Sequence, residues 1–304
     1  MNGTRRVCAL TGATGYVGGI LQRALECSGW RVVVLSRSGA GVGDVIPWSL
    51  APEADRVLQT SPSGLENALR ARGVSALVHA AWDLRLVRRA DLDRVNVQGS
   101  LRLFDQARAA GVSRIVLIST ISAFAAARSD YGQTKLAVEK AAAENGGVIL
   151  RPGLIYGEQP GGMFGALRQQ AGRSIVPLIG DGSYPQYLVH EDDLSAAVLH
   201  ALLIPQAPMV PVTIANPNPW AFRELIAEIA RSQGKSPHFV RVAWPVIYHG
   251  LRFGEKMGAE IGFRSDSVLS LVYQNAHPKW NASLLAVEPR PFAAGYLRSC
   301  APVR

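Results

Sequence analysis

Cysteine is scarce: the 304-residue chain has three, Cys8, Cys27 and Cys300, and their spacing matches no metal-ligand pattern. Cys8 lies in an apolar, strand-like run and reads as a small core residue. Long apolar runs are also missing. The stretch near 196–215 is cut by His200, Pro205, Pro208 and Pro211, which excludes a membrane span there. The chain opens Met-Asn-Gly-Thr-Arg-Arg and passes straight into a strand, leaving no room for a signal-peptide apolar region. A cytoplasmic, soluble protein without a membrane partner is expected. Acidic residues are the minority, 23 Asp+Glu against 32 Lys+Arg, for a formal charge of +9. Yet the arginines are scattered singly, and runs such as Arg5-Arg6 and Arg88-Arg89 are short. With no basic arm and no basic stripe interleaved with aromatics, nucleic acid is not the expected partner; a small anionic ligand is. There is no Gly-x-Ser-x-Gly elbow to support a hydrolase, no internal repeat and no low-complexity tract.

What is present is the composition of a globular chain, 48% hydrophobic and 18% charged, arranged with a rhythm. Val7–Leu10, Val32–Leu35, Ala76–His79, Ile115–Ile118 and Val148–Leu150 read as short strands buried on both faces. Helical patterns separate them: a capping box Ser63-Gly-Leu-Glu66 closed by Gly73, a longer helix Ala90–Ala110, and another over Tyr131–Glu144. Strand, helix, strand implies right-handed crossovers and a parallel sheet covered on both sides. After Arg151 glycine and proline become frequent, and only a strand (Val212–Ile214) and an amphipathic helix (Phe222–Ser232) stand out. The stretch from Trp244 to Trp280 fits either a lid over a pocket or a loosely patterned C-terminal subdomain.

Three motifs carry chemistry. The first strand runs into Thr11-Gly12-Ala13-Thr14-Gly15-Tyr16-Val17-Gly18 and then a helix. In such a turn the first glycine permits the bend, the second lets a pyrophosphate approach the backbone, and the third lets helix and strand pack closely. The helix N-terminus adds free N–H groups and positive potential. The second strand ends Val34-Leu35-Ser36-Arg37, where an NAD enzyme usually places a carboxylate for the ribose 2′-hydroxyl. A hydroxyl and a guanidinium suit a 2′-phosphate, so NADP is preferred over NAD; the alternative is that Arg37 is a solvated surface residue. In Tyr131-Gly-Gln-Thr-Lys135 the i and i+4 residues share a helix face, just after a strand end bearing Ser119, Thr120 and Ser122. A cation beside the phenol is expected to lower its pKa from about 10, so that it exchanges a proton near neutrality.

The chain resembles the extended short-chain dehydrogenase/reductase family, the NAD(P)-dependent nucleotide-sugar epimerase/dehydratase group. The resemblance rests on the glycine turn, His79-Ala80-Ala81, Asn96-Val97-x-Gly99, Ile118-Ser119-Thr120, Tyr131-x-x-x-Lys135, Arg151-Pro152-Gly153-x-Ile155-Tyr156-Gly157 and Val189-His190-x-Asp192-Asp193, in the family's order over about residues 7–200. It implies an α/β, Rossmann-type doubly wound parallel sheet with a smaller C-terminal substrate-binding lobe. The dinucleotide domain would span 1–160 with returning segments about 186–216, and the substrate region 161–185 and 217–304. Tyr131 would be the general acid/base, Lys135 would hold the nicotinamide ribose and tune it, and Thr120, with Ser122 as the alternative, would bond the reacting oxygen. Gly12, Thr14, Gly15, Tyr16, Val17, Gly18, Ser36, Arg37, Leu50, His79, Ala80, Ala81, Asn96, Ser119, Pro152, Gly153 and Leu154 would form the cofactor site. Hydride transfer on a nucleotide sugar or related hydroxyl/carbonyl compound is implied, as is a homodimer through the two long helices.

Three departures mark this chain. Phe124-Ala125 stands where relatives carry Tyr-Gly, the stretch from Thr120 to Tyr131 is short, and Gln186 replaces an arginine that holds a substrate diphosphate. His190, Asp192 and Asp193 read as helix-start caps and dipole partners rather than a metal site, so no metal is expected. The competing functional class is a non-catalytic NADP(H)-binding sensor or assembly protein that kept the fold; intact Tyr131, Lys135 and Thr120 argue against it.

Overall fold

The computed structural model describes residues 6–37, 43–51, 62–158, 161–259 and 263–293; residues 1–5, Pro160 and Cys300 lie outside them, as do the side chains of Pro62 and Ser63. The strands are β1 (Val7–Thr11), β2 (Arg31–Ser36), β3 (Asp44–Pro47), β4 (Ala76–His79), β5 (Arg114–Ile118), β6 (Val148–Pro152), β7 (Leu154–Tyr156), β8 (Ile175–Ile179), β9 (Pro185–Gln186), β10 (Leu188–His190), β11 (Val212–Ile214), β12 (Trp220–Ala221) and β13 (His238–Val242). Seven of them form one sheet in the order β11-β6-β5-β4-β1-β2-β3, with every pairing parallel.

Runs of Val, Ile and Leu leave these strands no solvated face, so both sides must be covered. Alternation along β1 sends Cys8 and Leu10 into one core, against α1 (Tyr16–Cys27), and Ala9 into the other. That second core is closed by α2 (Pro62–Ala71), by α4 (Gln98–Ala109), which follows the short α3 (Arg89–Asp91), and by α5 (Asp130–Glu144). Cys8 is fully buried, and burial pushes its thiol up to about 12, so it behaves as a small apolar side chain.

The remaining helices are α6 (Gly162–Ala171), α7 (Glu191–Leu203), α8 (Phe222–Ser232), α9 (Trp244–Lys256) and α10 (Ser265–Val272). α7 returns to the first face of the sheet. Phe164, Val176, Leu178, Leu225, Ile229 and Val268 build a separate third core from α6, β8, α8 and α10.

Two local expectations are corrected. The helix expected over Ala90–Ala110 is interrupted by a π-helical turn at Leu92–Val97, which places the buried Asn96 side chain against the backbone of Asp83. The helix expected to begin behind Ser63 already contains Pro62, a residue whose fixed φ and missing N–H suit a first turn.

The chain leaves β1 for β2 and β3, then returns to lay β4 on the opposite side of β1. Crevices for ligands form outside the carboxyl ends of the strands at such a reversal. Close packing there depends on Gly18, where an added Cβ would lie 2.0 Å from the carbonyl oxygen of Gly12. Gly18→Ala is expected to cost about 2–3 kcal/mol. Gly29→Ala, at φ +82° with no atom within 4 Å of the new methyl, should cost only about 1 kcal/mol of left-handed strain. Urea midpoints of the two variants check this; equal losses would remove the close-approach explanation.

Candidate active site

The glycine turn is held by a hydrogen bond from the Gly15 N–H to the Gly12 carbonyl, 2.9 Å, with Gly12 at φ +76°. A methyl on Gly12 would meet the Ala81 nitrogen at 2.8 Å, so the ends of β1 and β4 touch through backbone alone. α1 starts here with no side-chain cap and no acidic residue in its first turn. Its first amides and dipole are therefore directed at whatever anion lies over Thr14 and Gly15, which are exposed.

Beneath the turn a chain of hydrogen bonds sets protonation. Thr11 Oγ1 accepts from the Ala80 and Ala81 amides, both at 3.1 Å, and contacts His79 Nδ1 at 2.7 Å. On the other side Ser100 Oγ donates to the Asn96 carbonyl at 2.6 Å and therefore accepts from His79 Nε2 at 2.8 Å. His79 is neutral with its proton on Nε2, and burial brings its pKa down to about 3. Its ring packs edge-on to Trp48 and Phe104, so His79 supports the site from below. Asn96 accepts from the Asp83 N–H at 2.9 Å and donates to the Asp83 carbonyl at 3.2 Å, fixing the loop after β4.

At the end of β5 the three expected hydroxyls diverge. Ser119 is buried and donates to Glu139 Oε1 at 2.5 Å; Glu139 in turn accepts two bonds from Arg151, 2.8 and 2.5 Å. Thr120 and Ser122 instead face a cavity of about 1070 Å³. Tyr131 faces the same cavity from the first turn of α5, whose Ser129 cap accepts from the Gly132 N–H at 3.1 Å. Tyr16, Val17, Pro152, Gly153 and Leu154 line it too, whereas Lys135 lies behind the tyrosine.

The electrostatics differ from the expected pattern. Burial pushes the Tyr131 phenol up to about 12; the neighbouring Thr120 hydroxyl pulls it down and Asp266 adds to the rise. Burial, rather than the cation one helical turn away, dominates the value. Lys135 donates to the Ile118 carbonyl at 2.9 Å and sits 4.1 Å above the Trp82 ring and 6.0 Å from the Tyr131 ring centre. Burial brings Lys135 down to about 7, with Glu139 pulling it up.

Two residues of this arrangement have no local signal in the sequence. Trp82 stands edge-on to Tyr131 at 6.0 Å, roofs Lys135, and has a buried indole N–H without a hydrogen-bond partner. Asp266, on α10, accepts from the Asp130 and Tyr131 amides, both at 2.8 Å, placing a carboxylate on the positive end of α5. The stretch after Trp244 thus forms a wall of the cavity, with Arg252, Glu255, Arg264 and Asp266 facing it.

The remaining expected residues lie away from the cavity. The β1–β2 register pairs Thr11 with Leu35, so Ser36 stands beside Gly12. Arg37 follows, largely exposed, with its guanidinium 3.8 Å from Asp83 across the end of β1. Leu50 packs in the second core, its carbonyl so near Gly99 that a methyl there would lie 2.3 Å away. His190 caps α7 by accepting from the Asp192 N–H at 3.2 Å, and Asp193 is paired with Arg290 at 2.7 Å. Among the described residues no group of His, Cys, Asp or Glu could hold a metal ion, and no helix is long and apolar enough to cross a membrane.

A parallel sheet of this order, with its glycine turn at the reversal, defines a dinucleotide-binding α/β protein. Residues 8–212 match the NAD dependent epimerase/dehydratase family, and the chain belongs to that family of NAD-dependent enzymes. It is 30% identical over 247 residues to a ceramide reductase of Caulobacter vibrioides, covering 80% of this chain and 75% of the relative. It is also 30% identical over 314 aligned positions to a 3-diazoavenalumate denitrifying reductase of Streptomyces, covering 90% and 98%. Among solved structures, the UDP-glucose 4-epimerase of Thermotoga maritima, crystallised with UDP-glucose, superposes with a TM-score of 0.71 at 18% identity over 96% of each chain, a likeness of fold.

The Lys135 shift has a consequence for stability. Its ordinary value is 10.5 and its folded value about 7, so between these the unfolded chain binds more protons and stability rises with pH. Lys135→Met removes this dependence. Its stability relative to the native chain should be greatest at pH 6 and decline by on the order of 2–3 kcal/mol by pH 9.5. Urea titrations at the two pH values measure this; a constant difference would mean that Lys135 titrates like an exposed lysine.

Proposed function

We propose that this protein is an NADP(H)-preferring oxidoreductase that reduces a carbonyl carbon, or oxidises the corresponding alcohol, with Tyr131 carrying the proton. The observation that carries the reading is the meeting of Thr120 and Tyr131 on one cavity wall at the carboxyl end of β5, with Lys135 behind. Cradle and dinucleotide fit: Gly12 and Gly18 leave no room for a Cβ, and the uncapped start of α1 faces outward. When bound, the nicotinamide supplies or accepts the hydride. The protein's own share is proton movement and orientation. Thr120 would hold the substrate oxygen, and a phenol kept at about 12 stays protonated at neutral pH, ready to donate to an oxygen gaining negative charge. Lys135, with its ammonium 6.0 Å from the ring centre, would hold the nicotinamide ribose. Trp82 and the wall from α10 would exclude water around the exchange.

Two relatives at 30% identity are reductases by name, which supports net reduction over internal epimerisation. The T. maritima neighbour was crystallised with a nucleotide sugar. Here the residue in the position of the diphosphate arginine is the uncharged Gln186, on the cavity wall. The NADP preference rests on Ser36 and the exposed Arg37 guanidinium at the end of β2, a strand end that carries no carboxylate of its own, although Asp83 from the loop after β4 lies 3.8 Å from that guanidinium.

Tyr131→Phe is expected to lower kcat by about 10²–10⁴ while leaving the dinucleotide Kd within about twofold. A variant that turns over at the native rate would remove the proton-transfer role. For the cofactor, saturating NADPH should raise Tm by several degrees more than NADH, about 2.7 kcal/mol of stabilisation at a hundredfold excess over Kd. Arg37→Ala should bring the NADPH shift down to the NADH shift; equal shifts in the native protein would overturn the preference.

A further inference from the structure

The cavity beside Tyr131 has a character of its own. Apolar side chains line it from several elements, Trp82, Leu86 and Leu92 from the loop after β4 and the π turn and Met163, Phe263 and Leu271 from α6 and the α10 region, with Ser267, Ser270 and Gln274 among them. The apolar surface does not stop at the mouth. Leu84 and Val87 line the cavity and remain 65% and 36% exposed. An exposed apolar rim continuous with an apolar pocket marks a binding surface rather than ordinary solvent-facing side chains.

The charges point the same way. Although the chain is strongly basic, the three arginines among the described lining residues are matched by three carboxylates, Asp130, Glu255 and Asp266. Arg264 bonds Glu255 at 2.9 Å and the Leu86 carbonyl at 3.1 Å, and Arg85 bonds Asp83 at 2.8 Å. Arg252 donates to the Tyr248 hydroxyl at 3.3 Å. A diphosphate brought into this space would meet three carboxylates, two guanidiniums already paired with carboxylates, Arg252 and the neutral Gln186. Desolvating two negative charges beside three carboxylates, with one guanidinium not already ion-paired, is costly, whereas an alkyl chain gains from every methylene it buries.

We propose that the substrate is a carbonyl compound carrying a long unbranched apolar chain, a lipid-like ketone or aldehyde rather than a sugar diphosphate. This rests on the oxidoreductase reading above for its reactive end. The carbonyl sits at Thr120 and Tyr131, and the chain runs between the Leu86 and Phe263 walls toward Leu84. In reduction, hydride adds to the carbonyl carbon and the oxygen takes the phenolic proton, leaving an alcohol and an oxidised nicotinamide.

The test uses the full chain with NADPH and a series from 2-hexanone through 2-octanone and 2-decanone to 2-dodecanone, with UDP-glucose in parallel. Full burial of a methylene is worth about fourfold in binding. The value of kcat/KM should therefore rise at least tenfold from the six- to the ten-carbon ketone and then level off. UDP-glucose, which has no carbonyl for NADPH to reduce, is compared by its affinity for NADPH-loaded Tyr131→Phe and should bind more weakly than the longer ketones. Leu84→Glu, at a side chain exposed enough to accept a charge, should flatten the gain for the longest chains. The same ketones are titrated into NADPH-loaded Tyr131→Phe and read by tryptophan fluorescence, which reports binding without turnover. Tighter binding of the longer ketones, with no reduction by the native enzyme, would sink the oxidoreductase reading and leave the apolar pocket standing. Affinity and kcat/KM that are flat with chain length, or UDP-glucose preferred over every ketone, would overturn this inference and leave the oxidoreductase reading in place.

Discussion

The contact on which the rest of the molecule depends is one of backbone with backbone, where β1, β4 and α1 converge. Gly12 bends at φ +76° against Ala81, and Gly18 lies so close to the Gly12 carbonyl that no side chain fits between them. This approach sets the angle at which α1 leaves the sheet, and so where its positive end points. It also places the β4 end beside the turn, so the loop carrying Trp82 and Asp83 stands over the carboxyl ends of the strands.

Beneath that contact the polar groups are satisfied in sequence. The Ala80 and Ala81 amides, Thr11, His79, Ser100 and the Asn96 carbonyl form one line of donors and acceptors, and a neutral imidazole completes it. A second network, Ser119 to Glu139 to Arg151, buries an ion pair under the end of β5. Thr120 and Tyr131 are left facing the cavity, among apolar side chains and the charged residues of the stretch after Trp244.

The central sheet was largely legible in the sequence, because strands buried on both faces must be written in Val, Ile and Leu. The glycine turn was legible for a related reason: a positive φ and a missing Cβ are demands that few other residues meet. The π turn at Leu92–Val97 was not, since it differs from an α-helix by one extra residue per turn and is held by Asn96 reaching Asp83. Nor was the state of Tyr131. Spacing placed Lys135 one helical turn away and suggested a lowered phenol pKa. In the fold Lys135 points to Ile118 and Trp82, and burial raises the phenol instead.

By itself the sequence determined the doubly wound sheet, the place of the glycine turn and the run of hydroxyls, tyrosine and lysine after β5. All of these follow from local periodicity, steric allowance and chain order. Only the tertiary structure decided what surrounds them. Asp266 reaches the start of α5 from a helix 135 residues downstream, and Phe263 and Leu271 line the same cavity as Leu86. A pKa depends on everything packed around a group, and a pocket's polarity on which distant side chains converge there. Neither is written in any one stretch of the chain.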